Sequence, residues 1–414
     1  MSALPTEIIA EILSRLPVKP LVQLKCVCKS WESLIKCPNF IKIHINQTLI
    51  SNTDRHLLVS SQDSSLHSAD LDLHPSHLSF SEHNHPLKHR KVVNILGSCN
   101  GVICISDDSK SDVFLYNPLT NSNRKLPANI TPNLKEGSIL FGFGYDSKSD
   151  DYKVLRLVQG FKFDKSCCNE AHVYSLNNNS WKAVQGMPHF PLYGDIQGVL
   201  VNDALHYIVI SEELSLQQRL KIASFDLSTE RFSLMKFPRH DHYLKTNWDH
   251  LEFYLRNLGG YLCVAVNYQT NAYAHTLPSF IDNELRNNML YRADILVMKE
   301  YGNKESWNKL FSTCKMKLFP SCLSIKPVVY SKDGQKILLD IDSYQVGWYD
   351  SVSRKFEKLK AHELPNMVHP DSVIFVASLV SLEDKLHAKR GSLPKNNKSK
   401  ESANFLSAGF KLKL

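Results

Sequence analysis

The sequence predicts two architectures in one chain: a small all-α N-terminal unit of three helices, then an all-β, propeller-like domain of about six blades, followed by a basic tail. Three observations carry this. The first part of the chain places apolar side chains at helical spacing between prolines. After residue 50, short β-branched and aromatic runs alternate with Asn, Asp, Ser and Gly clusters. A hairpin with an aromatic residue on each arm then recurs at a spacing near fifty residues.

Residues 5–16 read as the first helix. Pro5 suits its start, Glu7 favours the positive end of the dipole, and Ile8, Ile9, Ile12, Leu13 and Leu16 recur at helical spacing. Pro17 stops it. A second helix starts at Pro20 with Leu21, Leu24 and Val27, and a third runs from about Cys28 through Trp31, Leu34 and Ile35 to just before Pro38. Units this small bury too little surface to stand alone. The surplus apolar face should therefore meet either a partner or the rest of the chain.

The strand runs are GVICISDD, VFLYNP, YKVLRLV, AHVYSL, LHYIVI, IASFDL, YLCVAV and KILLDI. They fit a sandwich, a barrel or a propeller, and the repeat favours the propeller. Tyr174 and Trp181, Phe225 and Phe232, and Tyr349 and Phe356 each bracket a polar turn. Looser copies follow Tyr116 and Met298. An Asn or Asp at the turn can bond its own backbone and set the bend. Six blades fit best, within a range of about five to seven. The run from His56 to Asp72 and the late SVIFVASLVSL are expected to share one blade and close the ring. The spacing is broken by NAYAHTLPSFIDNELRNNMLYR, Asn271 to Arg292, which reads as an excursion from the ring.

Charge and cysteine usage exclude several classes. The formal net charge is +8, but Lys385 to Leu414 holds eight basic residues and one acid, leaving about +1 for residues 1–384. No broad basic groove is implied, so nucleic acid is not an expected partner. The tail reads as a solvated polar segment or a nuclear import signal. No run of about 18 apolar residues occurs, so no membrane span is predicted. The N-terminus lacks a basic stretch ahead of an apolar core and does not read as a secretory signal. Ten cysteines are scattered, mostly inside apolar runs, without paired CxxC motifs. That pattern suits free thiols in a reducing compartment, cytoplasm or nucleus.

The opening LPTEIIAEILSRLPVKPLVQLKCVCKSWESLI resembles an F-box: Leu-Pro before helix one, Leu-Pro after it, and Val-Cys-Lys-Ser-Trp in helix three. Farther on, GSCNGVICI, YNPLTN, FGFGYDSKSDDYKVLRL and PVVYSKDGQKILLDI resemble the plant F-box-associated, kelch-like interaction domain. With FLSAGFKLKL at the end, the chain is similar to the group around the constitutive expresser of pathogenesis-related genes, which restrains defence by marking immune receptors for destruction. The domains expected are an F-box at 1–45, a propeller-like substrate-binding domain at 50–384 and the tail at 385–414.

The resemblance implies a non-catalytic substrate receptor of a Skp-cullin-F-box ubiquitin ligase. An Skp-type adaptor would bind Leu4, Pro5, Ile8, Leu16, Pro17, Cys26, Val27, Cys28, Lys29 and Trp31, with Trp31 as anchor. Cullin and RING subunits would follow through the adaptor. Ile12, Leu13, Leu21 and Leu34 are expected to hold the helices together. The 271–292 insert departs from relatives, and insertions in repeat rings often mark the binding face. Tyr273, Phe280, Arg286 and Tyr291 are therefore the candidate contacts to a protein substrate, with the loops at 160–172 and 238–250 as the alternative.

Catalytic readings fare worse. His83, His85 and His89 in EHNHPLKH lack an acid or cysteine set to complete a metal site. GFGYDS lacks the later glycine and helix of a phosphate loop, and DSKSDDYK lacks the glycine and closing glutamate of a calcium loop. There is no Gly-x-Ser-x-Gly elbow. No cofactor or metal is expected. A propeller scaffold that binds partners without ubiquitination remains the alternative.

Overall fold

Prolines punctuate the N-terminal helices as the sequence predicts. In the computed structural model, Pro5 precedes α1 (Thr6–Ser14), Pro17 precedes α2 (Val18–Leu24), and α3 (Lys29–Lys36) starts after Cys28. The second helix begins at Val18 rather than Pro20. Pro20 falls in its first turn, where a missing N–H forfeits no helical bond. The three-helix expectation is corrected by a fourth helix, α4 (Pro38–Ser51). Pro38 both ends α3 and opens α4, because its fixed φ suits a first helical position. Asn52, at φ 50°, closes α4 in the left-handed conformation.

The structure describes residues 4–61, 63–73, 77–129, 132, 134–193, 197–212, 219–238, 251–269, 290–314, 322–342, 345–362 and 372–382. Beyond the helices, the described strands form six blades in a ring, with antiparallel neighbours in every blade apart from one short parallel edge pairing. Blade 1 holds β1 (Arg55–Ser60), β2 (Leu66–Asp70) and β3 (His77–His83). Blade 2 holds β4 (Val93–Cys99), β5 (Val102–Asp107), β6 (Val113–Asn117) and β7 (Ser122–Lys125). Blade 3 holds β8 (Leu134–Asp146), β9 (Asp151–Lys162), β10 (Cys167–Ser175) and β11 (Ser180–Val184). Blade 4 holds β12 (Phe190–Pro191), β13 (Val199–Val201), β14 (Ala204–Ile210), β15 (Leu220–Asp226) and β16 (Arg231–Lys236). Blade 5 holds β17 (Leu251–Leu258), β18 (Tyr261–Gln269), β19 (Leu290–Met298) and β20 (Trp307–Cys314). Blade 6 holds β21 (Ile325–Tyr330), β22 (Lys336–Ile341), β23 (Gln345–Asp350) and β24 (Lys355–Lys358).

The late strand β26 (Val373–Val376) pairs with β1, so blade 1 is sewn from both ends of the domain, as SVIFVASLVSL predicts. A short β25 (Lys360–His362) adds a parallel pairing to the outer edge of β3. The innermost strands β26, β4, β8, β13, β17 and β21 touch in turn around the axis.

Among the described residues there is no single core. Six apolar clusters fill the six junctions between neighbouring blades. Strand alternation explains this: Ile103 and Ile105 of β5 face blade 1, whereas Val102 and Cys104 face blade 3. Both faces of each middle strand are buried, hence the near-continuous apolar runs.

The recurring aromatic pairs are cross-strand partners. Tyr174 lies opposite Trp181, Phe225 opposite Phe232 and Tyr349 opposite Phe356. Their turns share one chemistry. The last turn residue is left-handed in four blades: Asn121 (φ 54°), Asn179 (φ 48°), Glu230 (φ 55°) and Arg354 (φ 55°). The first residue caps the turn: Asp226 accepts N–H bonds from Ser228 and Thr229, and Asp350 from Val352 and Ser353.

Candidate functional site

The helical unit has two apolar faces with different fates. Leu13, Val18, Leu21, Ile35 and Phe40 form a buried cluster that continues into Ala377 and Leu379, just past β26. Leu16, Leu24, Trp31 and Leu34 pack at its margin. The opposite face stays uncovered: Leu4 is 60% exposed, Ile8 47%, Ile12 51% and Val27 60%. Pro5, Pro17, Cys26, Cys28 and Lys29 are exposed on the same unit, while Leu16 and Trp31 are half-buried. Leu13 and Leu21 hold the helices together as expected, but Ile12 does not. It lies four residues after Ile8, one helical turn away, and so joins the exposed stripe of α1. The thiol of Cys28 sits 3.0 Å from the Ser30 hydroxyl. That contact, with the backbone N–H of Trp31, holds its pKa below the usual thiol value.

Specific polar contacts fix this unit on the ring. The N–H of Val18, first residue of α2, donates to Asp54 Oδ2 at 2.9 Å. Lys42 of α4 pairs with Asp150 at 2.6 Å, in the turn between β8 and β9. Within the unit, His44 Nε2 donates to the Leu16 carbonyl at 2.8 Å. The end of α4 (Thr48, Asn52) shares a cavity of about 330 Å³ with inner-strand residues including Gly97, Gln197, Arg256 and Ile374. The helices therefore stop one mouth of the central channel.

Strand direction sorts the loops. The helices contact or share this cavity with first-to-second strand turns (Asp150, Gly259) and one third-to-fourth strand turn (Leu119). Antiparallel pairing sends the second-to-third strand connections to the opposite rim, where Gln269 and Leu290 flank residues 270–289. The same rim carries Phe161 and Phe163 at the end of β9, 46% and 66% exposed. Phe161 stacks on the exposed Phe190, with centroids 5.9 Å apart.

Of the four substrate-contact candidates, Tyr273, Phe280 and Arg286 lie outside the described residues. Tyr291 corrects the expected excursion: residues 290–292 belong to β19, and the Tyr291 ring packs partly buried beside Tyr268, centroids 5.9 Å apart. Arg292 is drawn inward by Asp294, at 2.8 Å. The phenylalanine cluster was within reach of the 160–172 alternative, but Phe190 joins it only through the ring.

The motifs weighed for catalysis have structural roles. DSKSDDYK is a hairpin turn, with Asp146 opposite Asp151 and Asp146 accepting from the Lys148 N–H at 3.1 Å. His85 Nε2 donates to the Ser64 carbonyl at 2.9 Å, and His83 Nε2 meets the Ser68 hydroxyl at 2.7 Å. Gly142 makes an isolated bridge to Gly198, and a Cβ on it would lie 2.5 Å from Tyr207 Oη. The GFGYDS glycines thus serve close blade packing.

A helical unit with one uncovered apolar face, set on a six-bladed β-propeller, defines the architecture of the chain. The chain matches the F-box domain over residues 1–43 and the F-box associated beta propeller domain over residues 56–382, and it belongs to that family. It is 32% identical over 449 aligned positions to F-box protein CPR1 of Arabidopsis thaliana, covering 100% of both chains. It is 30% identical to the Arabidopsis F-box protein At4g22390, again over 100% of both. The Arabidopsis F-box/kelch-repeat protein At3g23880 is 28% identical over 92% of this chain and 96% of its own. These matches indicate no enzymatic family. Among the described residues, no helix is long and apolar enough to cross a membrane.

Proposed function

We propose that this protein is the substrate-recognition subunit of a Skp-cullin-F-box ubiquitin ligase. The carrying observation is the split of the helical unit: one apolar face is buried against Ala377 and Leu379, while Leu4, Ile8, Ile12 and Val27 stay in water. A partner that covers the second face removes it from solvent. The Skp-type adaptor is that partner, reached through Leu4, Pro5, Ile8, Leu16, Pro17, Cys26, Val27, Cys28, Lys29 and Trp31. Leu16 and Trp31 contribute edges rather than whole side chains, since both also pack inward. Cullin and RING subunits join through the adaptor, and the chemistry of ubiquitin transfer is theirs.

The target protein binds the rim opposite the helices, where Phe161, Phe163 and Phe190 are exposed and where the 270–289 connection begins and ends. That rim faces away from the adaptor, leaving room for both partners. The likeness to the constitutive-expresser group makes an immune receptor the target and defence the pathway. Its location is then cytoplasm, nucleus or both.

The test is capture of partners by the full chain and by a chain lacking residues 1–50, with the proteasome inhibited. Target proteins should appear on both, accumulate only with the truncation, and diminish on a Phe161→Ser, Phe163→Ser variant. Cullin should appear only on the full chain. Cullin-free capture of the same partners by the full chain would instead establish a scaffold without ligase activity.

A further inference from the structure

We propose that Asp54, His56 and Asp70 form a divalent-cation site, with zinc the best match, at the joint between the helices and blade 1. Their potential ligand atoms all lie within 4.8 Å of one another. His56 and Asp70 are directly opposite residues of β1 and β2, and Asp54 stands just ahead of β1. The set offers one imidazole nitrogen and two carboxylate oxygens, each a ligand type that zinc takes.

A second observation points the same way. His56 is only 4% exposed, and its Nε2 has no hydrogen-bond partner among the described residues. That nitrogen faces Asp54 Oδ1 across 3.6 Å, too far for a hydrogen bond. Buried polar atoms of this kind are rarely left unmatched. Ligand atoms around a tetrahedral zinc lie about 3.4 Å apart, given bonds of about 2.0–2.1 Å. The His56–Asp54 separation is thus close to what an ion requires.

The surroundings hold the ligands as an outer shell would. Asp54 Oδ2 is occupied by the Val18 N–H at 2.9 Å, leaving Oδ1 for the ion. Asp70 Oδ1 accepts from the Asp72 N–H at 2.8 Å. Phe375 stacks on the His56 ring, centroids 5.1 Å apart, and fixes its plane. The neighbouring Arg55 does not neutralise the pair, because it is bound to Asp72 at 2.6 Å and to the Tyr330 carbonyl at 2.7 Å. Through Asp54 and Val18, an ion here would tie α2 to the ring.

The test uses the full chain, stripped with chelator and dialysed, and zinc chloride as the probe. Calorimetry and elemental analysis should show one equivalent bound, and the melting temperature should rise by a few degrees at about 100-fold excess over Kd. His56→Gln and Asp70→Asn should each weaken binding at least about tenfold. Should His56→Gln fail to fold, Asp70→Asn alone decides. Zinc bound equally by these variants, for instance through the exposed Cys26 and Cys28, would overturn the proposal. So would the absence of binding at about 100 µM free zinc, far above the affinities expected of zinc sites.

Discussion

The helical unit and the ring solve the same problem in opposite ways. In the ring, each blade gives both faces to its neighbours, and side chains such as Leu57, Cys104, Leu155 and Val264 are wholly buried. In the helical unit one face is satisfied by the chain and the other is left in water. A closed ring has no blade without neighbours on both sides. Four short helices cannot surround themselves, so their spare face is available for binding. Stability of the ring and binding through the helical face are thereby expected to lie in different parts of the chain, and substitutions should separate them.

The largest effect is expected on the open face. Ile8→Asp with Val27→Asp should lower adaptor affinity roughly 1000-fold, about 4 kcal/mol, as for two interface hot spots. The melting temperature should hold, because neither side chain belongs to a core cluster. A titration of purified adaptor with a parallel melt checks both, and a melt that falls with affinity would mean that this face supports the fold.

The converse change lies between blades 3 and 4. Lys153 is buried, with Nζ 3.0 Å from both Asp146 and Glu230 and donating to the Leu227 carbonyl at 2.7 Å. Lys153→Ala should destabilise the ring by about 3–5 kcal/mol, since it strands buried acid without its counter-charge. Adaptor affinity should not move. Urea unfolding measures the first quantity and titration the second.

A pH ramp should reach the ring somewhat less strongly. His206 is fully buried, with Nδ1 donating to the Val199 carbonyl at 3.0 Å and Nε2 facing the Tyr301 hydroxyl at 2.8 Å. Burial pushes its pKa down to about 4 from an ordinary 6.5. Between those values the unfolded chain binds the extra proton, so stability falls as pH drops from 7 towards 4. The loss from this group is about 3 kcal/mol. Burial likewise drives His83 down to about 4, adding in the same direction. His206→Gln should flatten the slope of urea midpoint against pH; an unchanged slope would show that His206 is not responsible.

The smallest effect tests the shared turn. Arg354 occupies a left-handed position at φ 55° on an exposed turn. Arg354→Gly should raise ring stability by about 0.5–1 kcal/mol, the relief of a strained L-residue less the entropy glycine adds to the unfolded chain. Thermal melts of the pair would resolve it.

The local code was legible along the chain. Pro5, Pro17 and Pro38 marked helix boundaries because proline constrains φ and lacks an N–H. The seven-residue spacing of Tyr174–Trp181, Phe225–Phe232 and Tyr349–Phe356 marked hairpins because a four-residue turn fixes which residues lie opposite. Five such hairpins, with one more blade shared by the His56–Asp72 run and SVIFVASLVSL, led to six blades. What escaped was whatever depends on distant segments meeting. Periodicity placed Ile12 among the core residues, but only the docking of Ala377 and Leu379 decided which stripe of α1 was covered. Tyr291 looked like part of an insertion until the β18–β19 ladder, with Tyr268 opposite Arg292 and Gln269 opposite Leu290, took it into the strand as a bulge residue. Asp54, His56 and Asp70 form no motif in sequence, since they converge only when β2 folds back on β1. Backbone preference acts between neighbours and is written in composition and spacing; the choice of which apolar face is buried and which polar atoms face one another is made by contacts across hundreds of residues, and only the closed ring settles it.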